Sequence, residues 1–147
     1  MTSAEQRKHK RESLGLSPNA LAQMLGVSPA EIYDLESHDG DISMVHSIEW
    51  VFAYARALGM SAVDLIGFEE SVHTKPLTRL AADVMTYCED NGFTPAQFSE
   101  ICGWDVREII ESPARTGAVV TLDALDDICR VIGQNTATYL SSYGTDT

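Results

Sequence analysis

Residues Ser17 to Glu36 read SPNALAQMLGVSPAEIYDLE, and everything else in the chain is most easily understood outward from them. Ser17-Pro18 carries the residue types of a helix start, an N-cap followed by proline at the first helical position, and Ser28-Pro29 repeats that signal eleven residues later. Two helix starts so close together imply two short helices. Leu21, Ala22 and Leu25 share one face of the first, and Ile32 and Leu35 share one face of the second. Gly26 stands in the turn between them, where glycine can take a left-handed conformation. The pattern is a helix-turn-helix.

Ala22, Gly26 and Ile32 give a small residue, a turn glycine and an aliphatic residue at the spacing of two helices crossing closely. With these residues the stretch resembles the lambda-repressor-like (Cro/Xre) helix-turn-helix family, and the resemblance extends over roughly Arg7 to Ile66. It implies a five-helix fold in which an arginine of the first helix pairs with a glutamate ending the recognition helix. The matching residues are Arg11 and Glu36.

The flanking sequence supplies the remaining helices. The first is expected from about Gln6 to Leu14, ended by Gly15, with residues 1–5 disordered or frayed. After Glu36 a polar connection, SHDGDISMVHS, leads to a helix from about Ser47 to Leu58 with Ile48, Val51, Phe52 and Ala55 facing the core, ended by Gly59. Ser61 would cap a short fifth helix, Ala62 to Ile66. Glu69 to Pro76 has no periodic apolar pattern and reads as a linker.

The chain then repeats itself. Gly92-Phe93-Thr94-Pro95 matches Gly15-Leu16-Ser17-Pro18 at an offset of 77, which also superposes Phe98 on Leu21, Ser99 on Ala22, Gly103 on Gly26 and Ile109 on Ile32. Further on the offset shortens to 74, pairing Ile132-Gly133 with Leu58-Gly59 and Tyr139 with Leu65, as if the intervening loop were three residues shorter. The expected architecture is therefore all-α: two tandem five-helix lambda-repressor-like units within residues 1–70 and 71–147. The second copy lacks the arginine–glutamate pair, since Arg11 maps to Cys88 and Glu36 to Pro113. Losing both partners is coherent, because removing one alone leaves a buried charge uncompensated at about 3–5 kcal/mol.

Ten basic against 22 acidic residues give a net charge of -12, which opposes approach to a polyanion unless the cations are gathered on one surface. Arg7, Lys8, Lys10 and Arg11 are gathered in the first helix. Residues 1–70 and 71–147 each carry 5 basic and 11 acidic side chains. No apolar run is long enough for a membrane helix, and the polar N-terminus lacks the apolar section of a signal peptide, so a cytoplasmic protein with no membrane association is expected. Cys88, Cys102 and Cys129 are odd in number, lack metal-ligand spacing and fall at core positions.

The resemblance implies that the second helix of the motif enters the major groove. The base-facing residues would be Ser28, Pro29, Ala30, Glu31, Tyr33 and Asp34; the phosphate-facing ones would be Arg7, Lys8, Lys10, Ser17, Asn19 and Gln23. The base-facing set lacks the arginine, lysine, asparagine or glutamine that usually reads bases. With Arg11 held by Glu36, the cations of the first helix neutralise at most about three phosphates, a salt slope of roughly -3 that a homodimer would double. In the second copy Arg107 takes the place of Ala30 and suits guanine, although Glu111, four residues on, is placed to pair with it. Trp104 aligns with Val27 and reads as a core or interface anchor.

Enzymatic chemistry finds little support. His9, His38, His46 and His73 are scattered, the loop group His38, Asp39, Asp41 and His46 reads as a solvated polar loop, and no phosphate loop, nucleophile elbow, metal or cofactor motif is present. The expected function is DNA-binding transcriptional regulation, with double-stranded DNA on the first unit and homodimerisation or a protein partner on the acidic second unit. The alternative is an acidic helix-turn-helix scaffold for protein recognition, of antitoxin, anti-repressor or polymerase-binding type.

Overall fold

A computed structural model describes residues 2–38, 46–69 and 73–140, and these are all-helical, with no β-strand among them. The first half contains α1 (Ser3–Ser13), α2 (Pro18–Leu25), α3 (Pro29–Leu35), α4 (Ile48–Leu58) and α5 (Ala62–Ile66). The second contains α6 (Leu80–Asn91), α7 (Pro95–Cys102), α8 (Arg107–Glu111), α9 (Thr116–Val119), α10 (Leu122–Ile132) and α11 (Thr136–Leu140), with 3-10 turns at Leu77–Arg79 and Pro113–Arg115. No described helix is long and apolar enough to cross a membrane.

Local chemistry sets most of these bounds. Ser17, Ser28, Ser47 and Ser61 cap α2, α3, α4 and α5, each hydroxyl accepting from the backbone N–H three residues on. Gly26 and Gly103 stop α2 and α7 at φ 70° and 85°, a conformation that any side chain would strain. The expected frayed start of α1 is replaced by a capping box: Thr2 Oγ1 accepts from Glu5 N–H (3.1 Å), while Glu5 Oε2 accepts from Thr2 N–H (3.3 Å). The helix consequently begins at Ser3, three residues earlier than apolar periodicity suggests.

Helix bounds recur along the chain. α7 lies 77 residues after α2 at both ends, and α10 and α11 lie 74 residues after α4 and α5 at both ends. The loop where the two offsets differ holds the Pro113–Arg115 turn and α9 in the second half; its counterpart, residues 39–45, lies outside the described residues.

One hydrophobic core runs continuously through both halves, from Leu21, Ile32 and Phe52 to Phe98, Leu125 and Tyr139. Ile48, Val51, Phe52 and Ala55 of α4 are all buried, as are the three cysteines. The described end of the expected linker is tied down. Lys75 donates its backbone N–H to Thr138 O (2.9 Å) and its ammonium to Asp83 Oδ2 (3.0 Å), and Leu77 enters the core.

Candidate nucleic-acid interface

The α2–Gly26–α3 unit is held from behind by two arginines of α1. Arg11 meets Glu36, the residue capping α3, through Nε to Oε2 (2.6 Å) and Nη2 to Oε1 (3.0 Å), and its third donor reaches Leu16 O (2.7 Å). This fork is a two-point, charge-assisted contact between buried side chains. The bonded carboxylate raises the Arg11 pKa further above its ordinary value, against the opposing effect of burial.

Arg7 departs from its expected role. Placed by sequence among the phosphate-facing cations, it is instead 0% exposed. Its Nε and Nη2 donate to Leu35 O (3.2 and 2.7 Å), Nη1 donates to Leu65 O (2.7 Å), and Nη2 also approaches His38 O (3.5 Å). Leu35 and Leu65 lie in the last turns of α3 and α5, whose carbonyls have no intrahelical partner. A guanidinium placed there satisfies those carbonyls and complements the negative ends of both helix dipoles. Nearby, burial pushes the Tyr54 phenol up to about 12, with the Arg7 guanidinium acting in the opposite direction. In the second half Val84 occupies the position of Arg7 and Cys88 that of Arg11, both buried.

The other expected contacts are not buried, Lys8 and Lys10 of α1 being exposed and half-exposed. Ser17, Asn19, Gln23, Ser28, Pro29, Ala30, Tyr33 and Asp34 are solvent-exposed or half-exposed, with Tyr33 59% and the neighbouring Met24 58% exposed. The hydroxyls of Ser17 and Ser28 are already used as acceptors by Ala20 and Glu31 N–H. Glu31 lies beside a histidine of the segment before α4. Its Oε2 lies 3.1 Å from His46 Nε2, an ion pair whenever the imidazole is protonated. That ring stacks on Trp50 at 3.9 Å between centroids, and the Trp50 indole N–H is anchored on Leu25 O (3.0 Å). Nothing local in the sequence signals this chain of contacts, because it depends on α4 packing against the end of α2. Of the loop group considered above, Asp39 and Asp41 lie outside the described residues.

Arg107 is likewise repositioned. Its expected partner was Glu111; it instead grips Asp105, Nε to Oδ1 at 3.0 Å and Nη2 to Oδ2 at 2.9 Å, while Asp105 Oδ1 also accepts the Arg107 backbone N–H at 3.0 Å. The reason is geometric. Arg107 is the first residue of a five-residue helix, so the turn before it folds back against its backbone N–H, and Asp105 gains both donors at once. Those bonds hold the Asp105 carboxyl down to about 2. Trp104 is 39% exposed, its indole N–H donating to Asp127 Oδ2 (2.9 Å).

The cations therefore divide unevenly. In the second half Lys75 and Arg79 pair with Asp83, Arg107 with Asp105, Arg115 with Glu108, and Arg130 with Asp126 and Asp127. In the first half Arg7 is buried and Arg11 is engaged, whereas Lys8, Lys10 and Arg56 form no ion pair among the described residues. Among the described residues, the cations without an ion pair all belong to the first half. Comparison of the chain with protein-family models, with curated proteins and with solved structures gives no match.

Proposed function

We propose that this protein is a DNA-binding transcriptional regulator of the lambda-repressor-like helix-turn-helix class, built from two copies of one helical fold, the second with an additional short helix, α9, and with the first copy contacting DNA. The observation that carries this reading is the α2–Gly26–α3 unit. Two short capped helices pack together across a left-handed glycine with Ala22 buried, and the end of the second is fixed by the Arg11–Glu36 fork. The matched helix bounds at 77 and 74 residues support the duplication. The distribution of unpaired cations favours the first copy as the one that meets phosphate. With Arg7 withdrawn, Lys8 and Lys10 remain on α1, so about two phosphates are neutralised and the salt slope is about -2.

Selection from random duplex DNA at low salt tests the reading directly. A reproducible motif whose binding is lost in Lys10→Glu, with the melting curve unchanged, is the expected result; enrichment of no motif refutes it. Recognition of a protein partner is the second reading, favoured by the exposure of Met24, Tyr33 and Asp34 on the two helices of the motif. Under that reading Tyr33→Ala weakens partner capture while DNA selection stays blank.

A further inference from the structure

We propose that the two halves of this chain pair about a local two-fold axis as two subunits would, so that the functional unit is one chain rather than a homodimer. The stoichiometry on DNA, one chain per duplex, rests additionally on the DNA-binding reading above.

The geometry starts from one contact. Ser47 and Thr121 form an isolated antiparallel bridge, closed by Ile48 N–H donating to Val120 O at 2.8 Å. These two residues are 74 apart and hold the same place in the repeat, since Ser47 caps α4 and Thr121 caps α10. A second contact has the same character: α5 packs on α11, its own counterpart at the same offset. Units stacked by translation put equivalent elements side by side in the same direction, whereas a two-fold axis brings them together antiparallel. The Ser47–Thr121 bridge is antiparallel and therefore locally two-fold, and the contact of α5 with α11 is compatible with the same axis.

The paired surface is already occupied. Ile48, Leu65, Val120, Leu122 and Leu140 are buried in the continuous core around it. α9 covers the adjoining side of α4, where a side-chain carbon added at Gly117 would stand 3.7 Å from Glu49 Cβ. A second copy could reach this surface only by exchanging halves between chains. Charge argues the same way, because two chains at -12 each repel on approach.

Sedimentation velocity of the unaltered protein from about 1 to 100 μM is the first test. A single species at 16.1 kDa is expected, and one of twice that mass overturns the proposal. The variant Ser47→Cys/Thr121→Cys, oxidised and resolved by non-reducing electrophoresis and peptide mass spectrometry, should carry its new disulfide within one chain; a covalent dimer overturns the proposal. If selection yields a duplex, light scattering of the complex should give one chain per duplex, and two chains overturn the proposal. A blank selection together with a monomer and an intrachain disulfide refutes the DNA-binding reading while supporting internal pairing.

Discussion

Replacing Arg7 distinguishes a structural cation from a phosphate contact. Arg7→Met keeps much of the side chain's apolar volume but removes the donors that hold Leu35 O and Leu65 O. Each hydrogen bond from a charged donor contributes about 1.5–3 kcal/mol, so loss of both carbonyl contacts costs about 3–6 kcal/mol. That is a large part of the roughly 5–15 kcal/mol by which a domain is stable. For a chain of this size it corresponds to a fall in Tm of about 10–20 °C. Arg7→Lys should recover only part of the loss, because an ammonium cannot span two helix ends as the planar fork does. Lys8→Met, on the exposed face of the same helix, should change stability by less than about 0.5 kcal/mol. Urea unfolding of the three variants measures these differences. An Arg7→Met protein within about 1 kcal/mol of the parent would refute the capping role.

Arg11→Met and Glu36→Leu should each cost about 3–5 kcal/mol by stranding a buried partner, while Arg11→Met/Glu36→Leu should cost far less than their sum; additive losses in this double-mutant cycle refute the coupling. Burial pushes the Asp83 carboxyl up, but hydrogen bonds from Tyr139 (2.5 Å), Lys75 and Arg79 outweigh it and leave the pKa below its ordinary value. Because the folded value is depressed, this contribution is present above the unfolded value of about 3.9 and is lost as pH falls through the lower folded one. Asp83→Asn should therefore be less stable at pH 7 and lose less stability on acidification, and an acid limb identical to the parent's contradicts the network. Burial pushes the Cys129 thiol up to about 12 and raises Cys88 and Cys102, so a thiol reagent at pH 8 should label these cysteines only on unfolding; prompt labelling of the native protein contradicts their burial.

The amino-acid sequence by itself determined what depends on neighbours within a turn or so. Ser17, Ser28 and Ser61 cap helices through N–H groups three residues away, and Gly26 and Gly59 stop them through their own backbone freedom. Those signals placed α2 to α5, and their recurrence placed α7, α10 and α11. Arg11 and Glu36 were legible as well, through the resemblance of the surrounding motif. Only the tertiary structure decided which cations reach solvent. Arg7 sits in a polar helix and reads as surface until the ends of α3 and α5 converge on it, because its acceptors are carbonyls 28 and 58 residues away. The same holds for His46 against Glu31 and for Ser47 against Thr121. Capping energies are local and leave a mark in the sequence; the burial of a charge and the closing of an interface are set by distant segments meeting, and a single chain of letters carries no mark of that meeting.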